Sequence, residues 1–169
     1  MADCVIAGTG HRPSQLFGFD PAHPGVFNLK KKIIEELVRA KPIKVLSGMA
    51  QGFDIYLAEC CLELKIPYIA CVPFIGQEKC WPKNAQEHYH KLLNQAKEII
   101  IVSSGGYAGY KMQIRNQYLV DNANLILACF KPGTTSGGTF NCVQYTQKMK
   151  KEIIFINPDD CFKSKENQK

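Results

Sequence analysis

At 169 residues with 46% hydrophobic content, the chain is long enough for one domain with a sizeable core. Its formal charge of +6, from 21 basic against 15 acidic residues, favours anionic partners, but the excess sits in short lysine groups (Lys30 to Lys32, Lys148 with Lys150 and Lys151, and Lys163, Lys165, Lys169) that read as solvated helix faces or tails before they read as a nucleic-acid stripe. No apolar run reaches the ~18 residues needed to cross a bilayer, and Met1 leads into a charged residue and a strand without a signal-peptide pattern, so no membrane partner is expected and the expected location is cytoplasmic.

The first predicted strand is "CVIAGTG". "GVFNLKKKIIEELVRA" follows as a helix with Val26, Leu29, Ile33 and Leu37 on one face and charges opposite. "KVLSG" is the second strand, "FDIYLAECCLELK" the next helix, "YIACVPF" the third strand, "NAQEHYHKLLNQA" a more polar helix and "EIIIVS" the fourth strand. After a glycine-rich loop come the helix "KMQIRNQYLVDNA", the strand "LILACF", the helix "GTFNCVQYTQKMKK" and the strand "EIIFINP". Six strands alternating with five helices predict an α/β fold: a Rossmann-like open, mostly parallel sheet of about six strands with helices on both faces. The near-continuous apolar runs "EIIIV" and "LILACF" point the same way, since a parallel sheet is buried on both faces. No repeat or long linker divides the chain, so residues 1–158 are expected to form a single domain and residues 159–169 a polar C-terminal tail.

The eight cysteines fit a reducing compartment, since several lie in apolar runs where a thiol packs as a small hydrophobe. There is no CxxC pair, and His88 with His90 lacks a second ligand pair nearby, so neither a metal nor a cofactor is expected.

In an open α/β sheet, ligands bind beyond the carboxyl ends of the strands where strand order reverses. The segments that follow the strands, "GTGHRP", "SGMAQGFD", "SSGGYAGYKMQIRN" and "KPGTTSGGT", hold the glycines, hydroxyls and basic residues, whereas "RAKPIK", "KIPY" and "NQAKE" are plain helix-to-strand turns. In the first segment Gly8 and Gly10 permit positive φ and close backbone approach, Thr9 supplies a hydroxyl and Arg12 a planar fork of donors for phosphate. This is not a dinucleotide GxGxxG: the third glycine is missing and Pro13 intervenes. His11 is open to reading as an acid or base, a phosphate donor or a loop-packing residue, with binding favoured over catalysis.

In the second segment Gly48, Gln51 and Gly52 precede Asp54, which reads as a helix N-cap or as a carboxylate for a ribose, and both roles are compatible. Arg115 and Asn116 fall near the start of their helix, where the dipole disfavours a basic residue. "SGGT", with Gly137, Gly138 and Thr139, resembles an anion-binding helix start, although Thr139 as a plain cap explains it equally well. Trp81 is either partial core or a stacking surface for a base.

Taken together, "GTGHRP", "SGMAQGFD", "PFIGQEKCW", "RNQYLVDNANLILACF" and "SGGT" resemble the YpsA branch of the SLOG superfamily, the Rossmann-like group that includes the Lonely Guy phosphoribohydrolases and the DprA single-strand DNA-binding proteins. The resemblance covers about residues 4–157 and implies a pocket for nucleotides or nucleotide-derived molecules. Gly8 to Arg12 match its first element, Arg115 and Asn116 its second, and Gly137 to Thr139 its third. It also implies a homodimer or higher homo-oligomer.

Against the PGGxGTxxE pattern of the Lonely Guy enzymes, however, Cys142 stands where the catalytic glutamate would be, leaving Asp54 or Glu78 as the carboxylates to supply such chemistry. The expected function is therefore binding, by sensing or sequestering, of a nucleotide or ADP-ribose-like ligand. The alternatives are a nucleotide N-glycosidic hydrolase and a DprA-like single-stranded nucleic-acid binder, the latter weakened by scattered lysines and a lone tryptophan.

Overall fold

β1 (Val5–Gly10) occupies the middle of the sheet because it pairs on both sides, with β2 (Lys44–Ser47) and with β5 (Leu125–Cys129), both parallel. A computed structural model of the chain describes residues 3–162. In it the sheet is completed by β3 (Tyr68–Val72), β4 (Glu98–Ile101) and β6 (Glu152–Ile156), all parallel, in the order β4-β3-β2-β1-β5-β6. The chain steps outward from β1 to β4, returns to β5 beside β1, and continues to β6. Strand order therefore reverses between β1 and β5.

The intervening helices are α1 (Pro24–Ala40), α2 (Phe53–Leu64), α3 (Lys83–Gln95), α4 (Tyr110–Asp121) and α5 (Gly138–Lys148). Alternation along the strands builds a core on each face. Ile6, Val45, Ala70 and Leu127 pack with α1, α2 and α3, while Ala7, Leu46, Cys71 and Ile126 pack with α4 and α5. α1 is half-buried through the stripe Val26, Leu29, Ile33 and Leu37. Its start is set by Pro24 and by His23, whose Nδ1 accepts from the Gly25 N–H at 2.9 Å. α2 is buried almost all round, from Phe53 to Ala58 and again at Cys60 and Cys61.

That burial explains the first glycines differently from the expectation drawn from sequence. Neither Gly8 nor Gly10 has positive φ. A Cβ on Gly8 would overlap the Leu57 side chain, and one on Gly10 would overlap Phe53, so both glycines let α2 lie directly on β1.

Two further expectations need correction. β4 is an edge strand, and although its run is continuously apolar, Ile99 and Ile101 are exposed, because no strand lies beyond it and α3 buries chiefly Tyr89 and Leu92. The expected tail begins in ordered structure, with Cys161 buried and Asp159, Asp160 and Phe162 exposed. A 3-10 turn, Pro158–Cys161, buries Cys161 against α1, where Asn28 Nδ2 donates to the Cys161 carbonyl at 2.9 Å, and Phe162 meets the Phe17 ring edge-on at 4.7 Å. Residues 163–169 lie outside the described part. Six of the eight cysteines are buried. No helix among the described residues is long and apolar enough to cross a membrane.

Gly10→Ala is expected to destabilise the protein by about 1–3 kcal/mol through overpacking against Phe53. Gly138→Ala, where a Cβ meets nothing within 4 Å, is expected to change stability by less than about 0.5 kcal/mol. Urea unfolding midpoints of the two variants check this contrast.

Candidate functional site

At the carboxyl end of β1, where strand order reverses, the structure holds a cavity of about 110 Å³. Gly8, Thr9 and Gly10 of β1, Asp54 of α2, Arg115 and Asn116 of α4, and Gly138 and Thr139 of α5 all line it. Arg115, Asn116, Asp54 and Thr139 are buried in its walls, while Arg12 and Gln15 are exposed at its rim.

Arg115 lies in the second turn of α4 and reaches the turn after β2. Its Nη1 donates to the Gly48 carbonyl at 2.6 Å, and its Nε to Asn116 Oδ1 at 3.1 Å. Gly48 is needed for this contact, since a Cβ there would stand 2.7 Å from Arg115 Cζ. The turn itself is folded by Met49 and Gly52 at positive φ (59° and 95°), and Gln77 Nε2 donates to both the Gly48 and Met49 carbonyls at 3.2 Å. Asp54 is not the N-cap of α2. That position belongs to Gly52, and Asp54 Oδ2 instead accepts the Ala50 N–H at 3.2 Å from within the first turn. Burial pushes the Asp54 carboxyl pKa up, with Arg115, the Ala50 N–H and Arg12 opposing it. Burial likewise lowers the pKa of the Arg115 guanidinium, an effect that Asp54 offsets.

On the other side of the cavity, α5 begins with Gly137 at φ 98° as its N-cap and no side-chain cap, so Thr139 does not cap the helix. The amides of its first turn lack intrahelical acceptors and carry the positive end of the helix dipole, and Gly138 and Thr139 bring that end to the cavity wall. Cys142, one turn on, faces inward. Burial pushes its thiol up to about 11, while Thr9, the neighbouring side chain on β1, pulls the other way. Two guanidiniums and a helix N-terminus outnumber the one carboxylate around the cavity, so its walls carry an excess of positive charge.

The structure does not gather all the residues picked from sequence. His11 is buried beside this cavity without lining it. Its Nε2 accepts the Lys131 N–H at 2.9 Å and its ring stacks on Phe130 at 5.9 Å, so it closes the loop after β5 onto the end of β1. Gln51 and Trp81 line a separate groove. Glu78 lies 3.6 Å from His90 Nε2 and does not line the cavity.

Residues missed from sequence include Gln15 and Met112, which line the cavity, and Lys111, whose buried ammonium donates to the Ser104 and Gly106 carbonyls at 2.7 and 2.6 Å. The lysine at the head of α4 in "GYKMQIR" was the only hint of that loop anchor.

Comparison with known proteins agrees with this architecture. The model of the YspA SLOG family matches residues 6–161. A UPF0398 protein of Bacillus cereus is 28% identical over 143 residues, covering 77% of each chain. Among solved structures, the DNA processing protein DprA of Streptococcus pneumoniae superposes with a TM-score of 0.63 at 16% identity, over 92% of this chain and 50% of DprA, so this chain spans half of that protein. The molybdenum cofactor binding protein of Rippkaea orientalis superposes with a TM-score of 0.58 at 16% identity, over 96% of this chain and 83% of that one. At such identities the likeness is one of fold.

The histidine reassigned to structure has a pH signature. Burial lowers the His11 pKa below its ordinary 6.5, and an imidazolium cannot accept from the Lys131 N–H. The unfolded chain therefore takes up a proton that the native state refuses. His11 contributes its full stability above pH 6.5, and that contribution falls as pH drops from 6.5 toward the lower folded value. Unfolding free energies measured across this range are expected to show the slope in the native sequence and to lose that component in His11→Gln.

Proposed function

Because the chain belongs to the YspA SLOG family, we propose that it binds a nucleotide or ADP-ribose-like molecule at the switch-point cavity and senses or sequesters it. The observation that carries this reading is the convergence of Arg12, Arg115 and the open start of α5 on one cavity at the end of β1. Sites that enclose a whole small ligand run to about 300–1,000 Å³. At about 110 Å³, this cavity is matched to one phosphate or a phosphate with part of its sugar. Arg12, exposed at the rim, then acts as the mobile clamp, and Arg115, tied to Gly48, as the fixed one. In this reading Asn116 and Asp54, which also line the cavity, bind ribose hydroxyls.

Binding is favoured over N-glycosidic hydrolysis because the position of the Lonely Guy glutamate holds a buried thiol, and the one carboxylate lining the cavity, Asp54, is already bonded to a backbone amide. It is favoured over single-stranded nucleic-acid binding because several lysines are used within the protein. Lys30 pairs with Glu59, Lys111 holds the Ser104 and Gly106 carbonyls, and Lys151 holds the Val120 and Ala123 carbonyls. A homodimer belongs to the same proposal, with Ile99 and Ile101 on edge strand β4 as apolar surface for it.

The test is mass spectrometry of small molecules released from the purified protein, then titration with ADP-ribose and AMP. A lost charge-assisted hydrogen bond is worth about 1.5–3 kcal/mol, so Arg12→Ala is expected to weaken binding by about tenfold or more at an unchanged unfolding midpoint. Gly138→Ala, which puts a methyl at the cavity wall without disturbing the fold, is expected to weaken it as well. Arg115→Ala should lower both affinity and stability, since it also frees the Gly48 turn. Unchanged affinity in both Arg12→Ala and Gly138→Ala overturns the site. Free base appearing during incubation replaces binding with hydrolysis.

A further inference from the structure

A second cavity lies across the backbone that closes the first. Gly52 abuts the chain leaving β1: a Cβ there would stand 2.6 Å from the His11 carbonyl oxygen and 3.1 Å from Arg12 Cα and Pro13 Cδ. The Phe53 N–H also donates to the His11 carbonyl at 3.3 Å. Arg12, Ala50 and Asp54 line the anion cavity on one side of this seam. Pro13, Gln51 and Gly52 line a groove of about 360 Å³ on the other, between α1, α2 and the start of α3.

The groove is large enough for a small organic ligand, and its composition differs from that of the anion cavity. Its aromatic surfaces are Tyr56 from α2, Trp81 ahead of α3 and Phe19 ahead of α1. The Trp81 ring is held edge-on against buried Tyr89, with centroids 5.1 Å apart, and Gln86 Nε2 donates to the Trp81 carbonyl at 2.8 Å, so this wall is fixed before any ligand arrives.

The charged groups are balanced among themselves. Lys30 Nζ is 2.7 Å from Glu59 Oε2, and His88 Nε2 is 3.8 Å from Glu59 Oε1. A phosphate entering here would meet the Glu59 carboxylate and find Lys30 already paired. The side-chain amides of Gln51 and Asn84 also line the groove and have no partner among the described residues. A primary amide offers a donor beside an acceptor, which matches the edge of a nucleobase, whereas a purely apolar ligand would cover these amides without pairing them.

We propose that this groove binds an uncharged planar nitrogen heteroaromatic, a nucleobase or nucleoside, at a site separate from the anion cavity. The ring stacks against the aromatic wall and its edge meets the amides of Gln51 and Asn84. The protein thus has two sites of different chemistry that share one wall, the contact of Gly52 with residues 11–13.

Trp81 is the only tryptophan in the chain, so its fluorescence reports on this groove. Titration with adenosine, guanosine, cytidine and uridine is expected to give a saturable change with at least one of them. Ala85→Leu, on the partly buried wall of α3, fills the groove with a good helix former and is expected to abolish the response. The double substitution Gln51→Ala with Asn84→Ala is expected to weaken binding roughly tenfold, and Arg12→Ala to leave it unchanged. Should Ala85→Leu fold poorly by circular dichroism, the double variant decides.

No saturable change with any of the four nucleosides overturns the proposal. So does a response that survives Ala85→Leu but is lost in Arg12→Ala, because the nucleoside then occupies the anion cavity. Binding of AMP or ADP-ribose, which depends on Arg12 and not on Ala85, reports separately on the switch-point site.

Discussion

The rest of the molecule depends on how closely α2 lies on β1. Gly8 and Gly10 present no side chain to that helix, so Leu57 and Phe53 rest on the strand backbone itself. The approach brings the first turn of α2 to the end of β1, where Gly52 is clamped against residues 11–13. The close packing therefore does more than fill the core. It sets the distance between Asp54 and the β1 exit and raises the wall that divides the two cavities.

Arg115 has the opposite kind of constraint, a charge that must be buried. Removing a guanidinium from water is unfavourable unless its donors are used. Here Nη1 and Nε are bonded to the Gly48 carbonyl and Asn116 Oδ1, and the Asp54 carboxylate is close enough to stabilise the charge. The result is a link from α4, on one face of the sheet, to the turn after β2. Because Gln77 donates to the same carbonyl from the third strand's loop, the 48–52 turn is held from two directions. A turn held this way has its shape fixed by the protein's own contacts.

The two cavities then divide the chemistry. At the switch point, positive charge and helix amides surround a small volume, whereas the groove beyond Gly52 is broad, aromatic and charge-balanced. His11 belongs to neither. Stacked on Phe130 and bonded to Lys131, it fastens the β5 exit loop to the β1 exit, so a residue that looks like chemistry in sequence serves as a joint.

The sequence by itself determined the α/β architecture and the strand ends at which the switch-point cavity lies, because alternation of apolar runs with amphipathic ones is a local pattern and crossover rules turn it into parallel topology. It also determined the clustering of Gly8 to Gly10, Asp54, Arg115, Asn116 and Gly138 to Thr139 at one end of the sheet, since every βα loop of such a sheet emerges there. It did not separate Gln51 and Trp81 from that cluster, show that β4 is an exposed edge, or say that the β1 glycines serve helix packing. Those were decided by which elements touch across the sheet: the β4-β3-β2-β1-β5-β6 order leaves Ile99 and Ile101 uncovered, and the contact of Gly52 with His11 to Pro13 walls one cavity from the other. Such contacts join residues about 40 positions apart, beyond the reach of any local periodicity.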